Sequence, residues 1–148
     1  TNDAASAVNR LIDMGVEPFL LSSSLLGALA QRLVRKLCTH CQGTGAPTVG
    51  ADASSLPPEG AAAPALGRPG GVRGCAECAH TGYSGRTGVF ELLVTDDAIR
   101  AQIHNRASEA EIRATALAAG MTLMRNDGER LVQAGITSRE ELVRVTRD

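Results

Sequence analysis

The chain has 148 residues, 43% of them hydrophobic and 21% charged, with a formal net charge of -1. That length suits one domain of ordinary size or two small ones, and the charge balance argues against the basic signature of a nucleic-acid-binding domain. Phe19, Tyr83 and Phe90 are the only aromatic residues, so the core must come from Leu, Val, Ile and Ala, and no apolar run approaches the roughly 18 to 20 residues of a membrane span.

The sequence opens at Thr1-Asn2-Asp3 with neither a Met nor a signal peptide, and it is read as a piece of something longer. Ala4, Ala5, Val8, Leu11 and Ile12 recur at helical spacing, and Gly15 stands where a left-handed C-terminal cap belongs. Pro18 suits the first turn of a second helix, expected to run through Phe19, Leu21, Leu25, Leu26 and Leu29 and to be well buried, because it is apolar on more than one side. Arg32 to Leu37 mixes basic and apolar residues and reads as a short strand.

Residues 42–74 break every pattern, holding eight of the sixteen glycines and five of the six prolines. Such a composition buries too little apolar surface to offset the entropy of ordering, so a mobile insertion is expected there. Arg86 to Val94 then reads as a strand, followed by four helices. The first starts at Thr95 or Asp96 and carries Ile99 and Ile103. Ser108 with Glu111 forms a capping box for the second, which stops at Gly120. Thr122 opens the third, with Met124, Leu131 and Val132 on its buried face and Gly135 closing it. Ser138 with Glu141 caps the last, which carries Leu142 and Val145.

Chemistry is concentrated in four cysteines, paired as Cys38-Thr39-His40-Cys41 and Cys75-Ala76-Glu77-Cys78. Two residues between cysteines let both thiolates of a pair turn onto one metal, and two pairs complete a tetrahedron. Zinc suits four soft sulfur ligands and brings no redox chemistry. Gly43, Gly45 and Gly82 permit the tight turns of such knuckles. The 33 residues between the pairs exceed the usual ~15 to 20, but a loop can be inserted between knuckles at little entropic cost. Disulfides, a thioredoxin-like redox pair and unused thiols are the competing readings; the first needs an oxidising compartment and the second a single pair beside a strand-helix-strand unit. His40 and His80 flank the cysteines as substitute ligands or exposed neighbours.

No catalytic constellation is expected. Glu91, Asp96, Asp97 and His104 read as helix-start charges and a solvated face. Arg32, Arg35 and Lys36 make a basic strip near the first pair, as a phosphate or partner contact or a solvated face. A phosphate-cradling G-x-x-x-x-G-K-[ST] loop is excluded, because the single lysine, Lys36, sits between Arg35 and Leu37. The chain alone should neither hydrolyse ATP nor bind it tightly.

Taken together the motifs resemble a known family. Thr1-Asn2-Asp3-Ala4-Ala5 and then Arg10-Leu11-Ile12-Asp13-Met14-Gly15 are similar to the end of the histidine box, and to the segment after it, in type II secretion ATPases, part of the wider secretion and type IV pilus assembly ATPase family. Leu29-Ala30-Gln31-Arg32-Leu33-Val34-Arg35 leads into Cys38 in family order, and Gly82-Tyr83-Ser84-Gly85-Arg86-Thr87-Gly88-Val89-Phe90-Glu91-Leu92-Leu93 comes after the second pair. Ala98-Ile99-Arg100 with Ile103 resembles a helix motif of the related pilus retraction motors, and Gly120-Met121 through Asp127-Gly128, then Gly135-Ile136-Thr137-Ser138, completes the tail.

The resemblance implies a C-terminal fragment of a hexameric cytoplasmic ATPase that powers type II protein secretion. On that resemblance it would sit peripheral to the inner membrane through secretion-platform proteins, with neither a direct membrane span nor a nucleic-acid partner. The phosphate loop, the Walker B motif and the histidine of the His box would lie upstream, so ATP and Mg2+ belong only to the full-length parent. Structural Zn2+ would be held by Cys38, Cys41, Cys75 and Cys78, which resemble the family's tetracysteine site. The implied fold is α+β and mainly helical: residues 1–37 the tail of a RecA-like ATPase core, 38–82 a tetracysteine zinc lobe with short strands and the insertion 42–74, and 83–148 a strand plus a C-terminal helical unit. A rival reading is a DnaJ-type co-chaperone zinc module, since Cys38 to Gly45 fits its C-x-x-C-x-G-x-G repeat, but after the second pair Ala79-His80-Thr81-Gly82 lacks the first glycine. A zinc-ribbon nucleic-acid binder is opposed by the charge balance and the scarcity of aromatics.

Overall fold

Six helices and one two-stranded sheet make up the computed structural model, which describes residues 3–44 and 71–146. In chain order these are α1 (Ala4–Asp13), α2 (Pro18–Ser24), β1 (Gly27–Leu37), β2 (Tyr83–Val94), α3 (Asp97–His104), α4 (Glu109–Ala118), α5 (Met124–Gln133) and α6 (Arg139–Thr146), with a single 3-10 turn at Ala76–Cys78. The architecture is therefore mixed, as the residue patterns predict, but the strands are not short: β1 has 11 residues and β2 has 12. Thr95 N–H donates to Leu26 C=O beyond one end of the pair and Cys38 N–H to Gly82 C=O beyond the other. The register is antiparallel.

Local chemistry sets the helix ends. Asp3 caps α1 by accepting from Ser6 N–H at 2.8 Å, and Gly15, at φ +95°, closes it. Asp96 caps α3 through Ile99 N–H, and the Ser108–Glu111 capping box opens α4 with both reciprocal bonds made. The second helix is where pattern and structure part. It ends at Ser24, not beyond Leu29, because the hydroxyls of Ser22, Ser23 and Ser24 bond back to the carbonyls of Phe19 and Leu20 while the chain beyond pairs as β1. The expected burial fails with it: Phe19, Leu26 and Leu29 are 65%, 80% and 61% exposed.

The chain divides into two compact units that interleave along the sequence. The first takes the described residues of Thr1–Arg32 and Val89–Asp127. Its core is Ala4, Ala5, Val8, Leu21, Leu93, Ile99, Ile103, Ile112 and Ala116, with α2 packed on α3 and α4 against both α1 and α3. The second takes the described residues of Leu33–Gly88 and Gly128–Arg147, burying Val34, Leu131, Val132, Leu142 and Val145 together with the four cysteines. Most of the 42–74 stretch, residues 45–70, lies outside the described residues; its ends, 42–44 and 71–74, belong to the cysteine knuckles. No helix among the described residues is long and apolar enough to cross a membrane.

Candidate metal centre

Each cysteine pair sits on a tight backbone turn. In the first, Gln42 N–H bonds to Cys38 C=O at 2.8 Å and Thr44 N–H to Cys41 C=O at 2.8 Å. In the second, His80 N–H bonds to Cys75 C=O at 2.8 Å and Thr81 N–H to Cys78 C=O at 3.1 Å. Gln42, Gly43, Ala79, His80 and Gly82 all have positive φ. Two of these are the glycines expected to make the turns; Gly45 lies outside the described residues. Gln42, Ala79 and His80 take up the same strained conformation without being glycine, which no residue pattern announces. Cys38 N–H to Gly82 C=O and Arg73 N–H to Gly43 C=O then fasten one turn to the other.

The result brings Cys38, Cys41, Cys75 and Cys78 together, all buried, with the four Sγ atoms within 4.8 Å of one another. Cys41 Sγ lies 4.0 Å from Cys78 Sγ, and Cys75 Sγ lies 3.9 Å from it. A tetrahedral ion with bonds of about 2.3 Å holds its sulfurs about 3.8 Å apart. A disulfide needs about 2.05 Å, and all four thiols are free. The donor set and its spacing fit one soft tetrahedral cation.

Electrostatics distinguish the sulfurs. Desolvation raises the Cys75 thiol to about 11. Burial also opposes ionisation of Cys78, but backbone N–H groups of Cys75 and Gly82, each 3.2 Å from its sulfur, outweigh that and hold it down at about 6. A cation entering the site must displace protons from the remaining thiols, so its affinity falls with acid.

The other residues singled out by sequence fall into separate places. His40 Nδ1 is 3.5 Å from Cys75 Sγ, whereas the part of His80 that the knuckle uses is its backbone N–H. Asp96 caps α3, Asp97 pairs with Arg100 at 2.9 Å in that helix's first turn, and His104 ends the same helix. Glu91 is not on a solvated face. It is 3% exposed, and its carboxylate accepts from Ala4 N–H at 3.0 Å and Met124 N–H at 3.1 Å, the first residues of α1 and α5. The basic strip is also divided. Lys36 is exposed, while Arg35 lies over the Tyr83 ring at 4.2 Å and is paired with Glu141 at 2.8 Å.

Sequence reasoning missed Gly74, which it grouped with the insertion. A Cβ there would collide with the backbone of His80, Thr81 and Gly82, so glycine is required for Cys75 to reach the other sulfurs. It also missed Glu141 as the partner of Arg35, because the two lie 106 positions apart.

The family described as Type II/IV secretion system protein matches residues 1–144. The chain is 52% identical to the Type II secretion system protein HxcR of Pseudomonas aeruginosa, over all of this chain and 27% of that protein. It is 45% identical to the Type II secretion system ATPase E of Vibrio cholerae, over all of this chain and 28% of that protein. It is 43% identical to the Type IV pilus assembly ATPase PilB of Thermus thermophilus, over 97% of this chain and 16% of that protein. The chain thus spans little more than a quarter of the length of its type II secretion relatives.

Proposed function

Since the chain belongs to the Type II/IV secretion system protein family, we propose that it is the C-terminal part of a hexameric cytoplasmic ATPase that powers type II protein secretion. The observation that carries this is identity of 45% or more along the whole chain to proteins named for that system. The co-chaperone reading accounts only for Cys38 to Gly45, whereas the family match extends over residues 1–144.

In this reading the chain supplies structure, not the nucleotide site. Cys38, Cys41, Cys75 and Cys78 hold one Zn2+, which contributes Lewis-acid bonding to four thiolates and no electron transfer. The thiolates tie together the ends of β1 and β2, so that a lobe with few buried side chains of its own keeps one shape. Residues 1–37 are the tail of a RecA-like core. Support comes from apolar side chains left in water within this stretch: Phe19, Leu20, Leu26 and Leu29 are each more than half exposed. In the parent, ATP and Mg2+ bind upstream, and the lobe (38–82) and helical tail (83–148) transmit subunit motion to inner-membrane platform proteins, with no part for nucleic acid.

The test is a chimera in which this chain replaces the matching quarter of the Vibrio cholerae relative. Secretion should be restored, and Cys75→Ser should abolish both zinc content and secretion. A chimera that accumulates, binds zinc and still exports nothing would defeat the assignment, as would a Cys75→Ser chimera that works normally.

A further inference from the structure

We propose that His40 is a positioning residue of the metal centre, its imidazole donating the Nδ1 proton to the Cys75 sulfur and so steadying that thiolate as a ligand. The inference rests on the reading of the four cysteines as one zinc site. Four thiolates around a divalent cation leave the buried cluster with two net negative charges, and each N–H directed at a sulfur offsets part of that charge. Both sulfurs of the second knuckle have backbone donors, and one of them has a side-chain donor besides. Cys78 Sγ accepts from the backbone of Cys75 and of Gly82, both at 3.2 Å. Cys75 Sγ faces the backbone N–H of Cys78 within the same turn and has in addition a side chain from the other knuckle, His40 Nδ1 at 3.5 Å, reaching across 35 positions of sequence.

A metal-bound thiolate has no proton to give, so in this contact it can only accept and the imidazole must carry its proton on Nδ1. The pairing is one-sided. The position matching His40 in the second knuckle is Glu77, an exposed acid that offers no donor when ionised. His40 therefore adds a side-chain link to the two backbone bonds that already join the knuckles.

The experiment uses the full chain loaded with Zn2+ or Co2+, comparing wild type with His40→Ala and with His40→Asn, whose amide can place an N–H near the Nδ1 position. Metal release to a chromophoric chelator at fixed pH should be about tenfold faster for His40→Ala, the scale seen when a ligand's hydrogen-bond partner is removed, and His40→Asn should return it close to wild type. All three should bind one ion with the absorption of a tetrathiolate Co2+ site. Nitrogen-15 NMR of zinc-loaded wild type should show His40 protonated on Nδ1, a readout that holds even if a variant fails to fold. Unchanged release from His40→Ala, equal release from both variants, or a bare Nδ1 in wild type would overturn the proposal. A shift of the Co2+ spectrum from mixed nitrogen and sulfur to all sulfur in His40→Ala would overturn it too, by making His40 a ligand. Wild type that takes up no metal would remove the zinc reading itself, whereas the other outcomes leave that reading intact.

Discussion

A carboxylate sealed from water is costly unless donors surround it, and Glu141 is surrounded. Its side chain has no exposed surface; it accepts from Arg144 at 2.6 Å, from the Arg35 guanidinium at 2.8 Å and from Arg35 N–H at 3.0 Å. Hydrogen bonding to Arg144 is the largest influence; burial opposes it, and Arg35 adds to it, leaving the carboxyl at about 2 instead of 4.5. A folded-state value below the unfolded one means stability that is fully present above pH 4.5 and lost as pH falls through about 2. Glu141→Gln should therefore cost about 2 kcal/mol at neutral pH, the scale of a charge-assisted hydrogen bond. Denaturant midpoints should show wild type and variant converging as pH drops from 5 towards 2; a constant gap would show that the charge is not the cause. The capping box that spacing assigns to Ser138 and Glu141 is only half made. Ser138 Oγ does accept from Glu141 N–H at 3.1 Å, but the carboxylate goes to the arginines. Glu91 obeys the same logic in the other unit, where two helix-start N–H groups replace the solvent that its sequence position suggests.

Among the elements, the starts of α3, α4 and α6 were legible because their signals are local, whereas α5 begins at Met124, not at Thr122, with its first N–H on the distant Glu91. Asp96, Ser108 and Ser138 each accept a backbone N–H three residues on, and Gly120 and Gly135 lie two positions past the last residue of the helices they end, at φ +99° and +68°. The boundary between α2 and β1 was not legible, since Leu25 to Leu29 serves either period and only pairing with β2 decides it. The connection between the knuckles can be argued from its ends. Arg73 N–H meets Gly43 C=O at 2.8 Å, and Thr44 bridges to Arg73, so a short link suffices to join the two turns. Replacing residues 46–70 by a short Gly/Ser bridge should alter stability by no more than about 1 kcal/mol, because closure entropy depends weakly on loop length. Thermal melts and metal content of the shortened chain check this; lost cooperativity or lost metal would mean that the segment holds the lobe together.

For the molecule as a whole, metal dependence should divide along the two units. The cysteine-bearing part has few large buried side chains, and structural zinc contributes ~10 to 16 kcal/mol of apparent binding energy in small peptides at neutral pH. The unit built on Leu93, Ile99, Ile103 and Ile112 has its own core and caps. We expect one zinc per chain, and strong chelation should disorder residues 38–41 and 75–82 while α3 and α4 keep their helicity. Elemental analysis, circular dichroism and amide exchange read the three quantities. Zinc well below half an equivalent under reducing, metal-replete conditions would refute the expectation, as would collapse of all helicity on chelation.

What the amino-acid sequence determined by itself is whatever lies within one turn of chain: the caps, the glycine stops and the paired cysteines. Each rests on hydrogen bonds or ligand geometry spanning three or four positions, so spacing alone records it. Tertiary structure alone decided that Gly74 must yield its Cβ position to the second knuckle, that Arg35 meets Glu141, that Glu91 joins two helix starts, and that His40 reaches Cys75. These contacts join residues that are distant in sequence or sit where a turn folds back on itself. Their energy comes from desolvation and charge at places that exist only after the strands have paired, and linear spacing carries no trace of it.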